Sequence, residues 1–292
     1  MPLLIAGYLP WLALLPRSLQ QAWQSLRAPA TDGIRAEWLL GLWAVLIFAF
    51  FSVSQSKLPG YIVPIFPALA LLGGKVLDVQ IGSGRSGRFW TVQTAAAAVL
   101  AIAALAALPL MTRLGSEPWQ QREYAHYTYW IAAAMLIWLA GAVTALALRR
   151  RALAMSIGAF ATASFLAFMI AGIGHETLGR SRSGADVAAQ VRPLLHDNVP
   201  LYSLAGLDHT LPWYLRHNLI MVASLDELEF GIQQEPDKWV PTQQAFLSRW
   251  AADADAFALM NPDTYDALHA AGVPMTEIAR DERRVVVRKP QL

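Results

Sequence analysis

Apolar residues are concentrated in the first 174 positions of the chain, in runs separated by short polar segments. Trp38–Val53, Tyr61–Leu77, Phe89–Met111, Thr128–Leu148 and Ala152–Gly174 each approach or reach the roughly 20 apolar residues that a membrane-spanning helix requires. None of them alternates as a barrel strand would, and Ala95–Ala107 is rich in the strongest helix former. Pro2–Pro16 is apolar but short, and neither a basic start nor a small-residue cleavage site marks it as a signal peptide. It reads as the last part of a helix that begins upstream, in a chain forming the C-terminal portion of a longer membrane protein.

Beyond Gly174 the pattern changes. Amphipathic stretches (Gly184–Leu195, Leu225–Gln233, Thr242–Trp250, Asp263–Ala271) alternate with short apolar runs at Val199–Leu204, Leu219–Val222, Ala256–Met260 and Val285–Val287. Asn261-Pro262-Asp263 has the form of a helix cap followed by proline in the first turn. The expected fold is therefore a membrane α-helical bundle of five to six spans (residues 1–174) followed by a small soluble α/β domain (residues 175–292).

Composition sharpens this picture. Apolar residues make up 55% of the chain and charged residues 15%, where a soluble domain carries about 25% charged residues. Cysteine is absent, which excludes disulfides, thiolate metal sites and a cysteine nucleophile. The net charge of +2 conceals 12 Lys and Arg against 5 Asp and Glu before residue 175, and 11 against 16 after it. The basic excess lies in loops between apolar runs, so nucleic acid is not an expected partner. Counted over alternate loops, nine positive residues (Arg17, Arg27, Arg35, Lys75, Arg85, Arg88, Arg149, Arg150, Arg151) face three (Lys57, Arg113, Arg122). The positive-inside rule puts the richer set in the cytoplasm, and hence the tail and the Lys57 loop outside.

Several motif fragments carry no chemistry. Gly82–Gly87 reads as G-x-G-x-x-G but sits between two apolar runs instead of inside a βαβ unit. His175-Glu176 would open a zinc-protease motif, yet its fifth position is Gly179. The tail histidines have no ligand spacing. The membrane runs contain almost no ionisable residues, which speaks against a transporter.

Phe50–Gly74 is the most informative segment. Lys57 stands just past one apolar run, Pro59 and Gly60 interrupt the helix, and Tyr61 opens the next run. A mobile cation beside a phenol at the membrane surface suits an anionic lipid headgroup. The same residues also suit a snorkelling lysine and an interfacial tyrosine at an ordinary hairpin. The residues alone fit both readings.

Ser54-Gln55-Ser56-Lys57-Leu58-Pro59-Gly60-Tyr61, followed by Pro64, Phe66, Pro67 and Ala68–Leu72, resembles bacterial GT-C type integral-membrane glycosyltransferases. These are the lipid A aminoarabinose transferases and their relatives in the polyprenyl-phosphate-mannose–protein mannosyltransferase superfamily. Asp208–Leu215, Glu227–Gly231 and Asn261–Tyr265 resemble the outer domain of the same enzymes. The resemblance covers the whole chain, as the second half of such an enzyme. It implies transfer of a sugar, aminoarabinose-like or hexose, from a polyprenyl-phosphate carrier to lipid A or another glycan or protein acceptor at the periplasmic face of the inner membrane. It places Lys57 and Tyr61 near the carrier phosphate, although Gly60 stands where many relatives have Thr or another residue. The family's catalytic acidic residues lie in an earlier outer loop with no counterpart in residues 1–292, so the chain alone is expected to be inactive. Neither residues nor resemblance fixes a cofactor, and a divalent metal in the complete enzyme stays open. A non-catalytic, membrane-anchored periplasmic binding module is the competing expectation.

Overall fold

The structure, a computed structural model, describes residues 2–27, 35–54, 58–83, 87–180, 182–204 and 206–290. It divides into two compact units: Met1–Ser116 with Tyr124–Gly174, and Glu117–Glu123 with His175–Leu292.

The first unit is helical. α1 (Pro2–Gly7) runs through a 3-10 segment (Leu9–Leu14) into α2 (Leu15–Arg27). α3 (Ala36–Val53), a 3-10 turn (Pro59–Ile62), α4 (Ile65–Gly82), α5 (Arg88–Met111), α6 (Pro118–Leu148) and α7 (Leu153–Gly174) follow. Among the described residues, five helices are long and apolar enough to cross a membrane: α3 to α6, and α7 with its continuation to Arg180. Only 11–33% of each apolar window is buried by protein. Val53, at 86% exposure, and Phe168, at 71%, belong to the broad apolar exterior. In water such a surface would be strongly unfavourable; hydrocarbon is its natural solvent.

Lipid tails are as apolar as leucine, so helix association here depends on close approach and buried hydrogen bonds. A Cβ built on Gly141 of α6 would lie 2.1 Å from the Cβ of Ala163 on α7. Around this contact pack Ala134, Ala142, Ala145, Phe160 and Ala167, all buried. Trp138 Nε1–H donates to Ser164 Oγ at 3.1 Å. Trp90 Nε1–H donates to Ser156 Oγ at 2.9 Å, which in turn donates to the carbonyl of Ala145 at 2.7 Å.

Pro2–Pro16 departs from the expectation of one continuous helix. Pro10, in the first turn of the 3-10 segment, has no N–H to continue an α-helix. The irregular backbone is satisfied from α5: the amide of Ala13 donates to Gln93 Oε1 and Gln93 Nε2 donates to the carbonyl of Pro10, both at 2.8 Å. Tyr8 adds a hydroxyl donation to the carbonyl of Leu69 at 3.0 Å. The following α2 is amphipathic, with Ser18 and Ala22 buried while Leu19 and Trp23 stay exposed.

The second unit holds α8 (Glu176–Arg180), α9 (Ala185–Val191), β1 (Leu201–Ser203), α10 (Leu211–Leu215), β2 (Ile220–Val222), α11 (Glu229–Gln234), β3 (Trp239–Val240), α12 (Gln243–Ala252), β4 (Phe257–Met260), α13 (Pro262–Ala270), β5 (Thr276–Arg280) and β6 (Val285–Arg288). The strands form one sheet in the order β3-β2-β1-β4-β6-β5. The first four neighbours pair parallel, and β6 pairs antiparallel with both β4 and β5. Successive strand residues point to opposite faces, so both faces carry a core. Leu201, Met221, Phe257, Leu259 and Val286 pack with Val187, Val191, Leu211 and Leu215. Tyr202, Val222, Ala258, Met260, Val285 and Val287 pack with Phe246, Trp250 and Leu268. The predicted cap forms: Asn261 Oδ1 accepts the amide N–H of Thr264 at 2.8 Å at the start of α13.

Candidate functional site

The hairpin between α3 and α4 carries the two residues singled out from the sequence. Lys57 lies outside the described residues. Tyr61 sits in the 3-10 turn, not at the start of a long span; its amide donates to the carbonyl of Leu58 at 3.1 Å. α4 begins only at Ile65, because Pro64 supplies the N-cap residue and Pro67 falls in the first turn, where no intrahelical amide partner is needed.

Tyr61 is held by its ring. It stacks on Phe51 at the end of α3, with centroids 4.9 Å apart and planes 28° apart. The side chain is 37% exposed. Among the described residues its hydroxyl has no hydrogen-bond partner. A phenol fixed by stacking, with its oxygen uncommitted, can donate to an anionic oxygen without first breaking another bond. A Cβ on Gly60 would meet nothing within 4 Å, so a side chain such as Thr fits at that position.

Glu37, in the first turn of α3, pairs with Lys75 on α4. That pair joins the first turn of α3 to the second half of α4, away from the turn that holds Tyr61.

In the second unit, the segments that carry the family resemblance do structural work. Asp208 Oδ1 accepts from the amides of Thr210 and Leu211 at 2.9 and 2.8 Å and from the Thr210 hydroxyl at 2.9 Å, fixing the start of α10. Its other oxygen accepts from Arg284 Nε, a side chain only 5% exposed. Arg284 also donates to Asp281 Oδ2 at 2.9 Å and to the carbonyl of Arg182 at 2.7 Å. Burial opposes the charge of Asp208, but the Leu211 amide, Arg284 and the Thr210 amide outweigh it and hold the carboxyl below the usual range. Glu227 lies 3.5 Å from His209, an exposed contact. Sequence reasoning did not single out Arg284; the available signal was the arginine pair Arg283-Arg284 directly before the apolar run Val285–Val287. Among the described residues no three His, Asp or Glu side chains converge as a metal ion would need.

Residues 187–289 match the family model of the aminoarabinose transferase C-terminal domain. An undecaprenyl phosphate-alpha-4-amino-4-deoxy-L-arabinose arabinosyl transferase of Pseudomonas fluorescens is 43% identical over 86 residues, 30% of this chain and 15% of that protein. Its counterpart in Pseudomonas aeruginosa is 45% identical over 87 residues, with the same shares. Among solved structures, ArnT from Cupriavidus metallidurans in the apo state superimposes with a TM-score of 0.84 at 42% identity, over 98% of this chain and 51% of that one. The same enzyme bound to undecaprenyl phosphate gives 0.84 at 43% identity, over the same shares. The chain thus spans about half the length of these solved relatives. In sequence and in fold it is similar to the aminoarabinose transferases, and residues 187–289 match the model of their C-terminal domain.

Proposed function

We propose that this chain is the C-terminal portion of a bacterial inner-membrane glycosyltransferase that moves an aminoarabinose-like sugar from a polyprenyl-phosphate carrier to lipid A or another acceptor at the periplasmic face. The observation that carries this reading is the likeness over 98% of the chain to ArnT, one of whose structures holds undecaprenyl phosphate. In the reaction, an acceptor oxygen forms a bond to the anomeric carbon while the bond from that carbon to the carrier phosphate oxygen breaks. The acceptor proton passes to a base, and the departing phosphate gains negative charge. Stabilising that charge calls for cations and hydrogen-bond donors at the leaving group. We assign that role to Lys57, as a mobile positive charge, and to the Tyr61 hydroxyl, as a directional donor. The acidic groups that act at the acceptor come, in this reading, from outside residues 1–292.

Two measurements test it. Reporter fusions after Gly174 should report a periplasmic tail and fusions near Arg150 a cytoplasmic loop, from the nine-to-three division of positive charge. A cytoplasmic tail contradicts the reading. Incubated with a polyprenyl-phosphate aminoarabinose and lipid A, the chain alone should not transfer sugar, whereas co-expression with an upstream half should restore turnover. Turnover by the chain alone would put the catalytic acid and base within it.

A further inference from the structure

α10 is a five-residue helix whose inward positions, Leu211 and Leu215, are buried in the core of the second unit. The residues between them face outward: Trp213 is 80% exposed and Tyr214 41%. Beside them opens a cleft of about 630 Å³, within the size range of small-molecule sites. Its walls carry Arg192, His209, Trp213, Tyr214, Arg216 and His217, and no carboxylate lines it.

Two adjoining clefts share part of its wall and make a useful contrast. One, of about 430 Å³, is lined mainly by aliphatic residues and carries Glu235 and Lys238, which pair with each other. The other, of about 450 Å³, includes Asp197 and Asp237. In the Trp213 cleft the side chains of Arg192 and Arg216 have no hydrogen-bond or ion-pair partner among the described residues. Glu227 lies 3.5 Å from His209, an exposed contact outside the lining of the cleft. His217 is anchored, its Nε2 lying 2.9 Å from the carbonyl of Val199, an acceptor only.

Arg216 supplies a second, independent feature. It ends α10 in the left-handed conformation, at φ 55° and ψ 40°. Glycine or asparagine ordinarily occupies such a helix end, because a Cβ is strained there. Strain of this kind marks candidate functional positions. Here it holds a guanidinium on the rim of the cleft.

From this arrangement we infer that the cleft is a binding site for a phosphorylated saccharide. The guanidinium groups of Arg192 and Arg216, without a partner among the described residues, can donate to the oxygens of a phosphate monoester, and the exposed Trp213 offers an apolar platform for the C–H face of a sugar ring. A concave pocket with one exposed indole suits a headgroup better than a flat bilayer surface or a protein partner, which would need a larger apolar patch. The choice of a saccharide rests on the proposed transferase function; the anion preference rests on the cleft itself.

The test uses the whole chain in zwitterionic nanodiscs, titrated calorimetrically with glucosamine 1-phosphate, glucosamine and inorganic phosphate. Glucosamine 1-phosphate should bind most tightly, at least about tenfold above either component. Arg216→Gly is compatible with the left-handed backbone and removes the whole side chain, guanidinium included, so it should weaken binding about tenfold without loss of thermal stability. Arg192→Gln and Trp213→Ala, both at solvent-accessible positions, should each weaken it by a similar factor. Equal binding of inorganic phosphate with no effect of Trp213→Ala would reduce the site to a bare anion patch and overturn the proposal. So would displacement of the saccharide phosphate by short-chain phosphatidylglycerol, or no binding at all. Because binding is read without turnover, a failure here leaves the transfer assay intact, and a failed transfer assay leaves this binding measurable.

Discussion

Asp208 and Arg284 stand 76 residues apart in the chain and form a charge pair that ties the loop before α10 to the turn between β5 and β6. Arg284 is the deeper partner, and its guanidinium has acceptors on Asp208, Asp281 and the Arg182 carbonyl. Removing one member of such a pair leaves the other uncompensated. Asp208→Ala should therefore destabilise the second unit by about 3 kcal/mol. Arg284→Met should cost less, because three donors other than Arg284 still satisfy Asp208. The double variant should fall well short of the sum. Hydrogen exchange at β1 and β6 checks this, and additive effects would show that the two residues act separately.

Acid should loosen the same unit. Asp208 and Asp255 both titrate below the ordinary carboxylate range, Asp255 chiefly because Arg288 hydrogen-bonds to it, at 2.9 and 2.7 Å. A carboxyl whose folded value lies below its unfolded value of about 3.9 contributes stability above that pH and loses it as pH falls through the folded value. Urea midpoints for the second unit, read by pulsed exchange, should be flat from pH 7 to about 5 and fall below about 4. Asp208→Asn should flatten the acid limb. A midpoint that rises on acidification contradicts this assignment of charge.

In the first unit, the contact of Gly141 with Ala163 leaves no room for a larger side chain. Gly141→Val should lower the melting temperature in detergent, on the scale of an overpacked site, about 1–3 kcal/mol. Ala163→Gly in the same chain should recover part of the loss. Recovery would locate the effect at this contact; its absence would point to helix propensity instead.

The spans are legible in sequence because hydrocarbon imposes one requirement on every residue of a run, and α3, α5 and α7 begin and end close to their apolar stretches. α6 begins at Pro118, well before its run at Thr128, because polar residues such as Gln120, Gln121 and Arg122 can be helical without entering lipid. The break near Pro10 depends on Gln93, more than 80 residues away, and no local pattern announces that contact. β1, β2, β4 and β6 were legible as apolar runs buried on both faces. β3 has two residues and β5 reads Thr-Glu-Ile-Ala-Arg at the sheet edge, so each is defined by its neighbour rather than by its own sequence. For the candidate site, the prolines and glycine announced the turn that holds Tyr61, while its stacking on Phe51 required the hairpin to close.

The central claim concerns charge at the carrier phosphate, and the initial rate of sugar transfer by the assembled enzyme tests it most directly. Lys57→Met should lower that rate roughly 10- to 150-fold, the equivalent of about 1.5–3 kcal/mol for a charge-assisted contact felt mainly in the transition state. Folded yield should change little. Tyr61→Phe removes a neutral donor worth about 0.5–1.5 kcal/mol, keeps the ring on Phe51, and should cost less. Full turnover by Lys57→Met, with unchanged affinity for the carrier, would contradict the account and leave the hairpin as an ordinary turn with a snorkelling lysine.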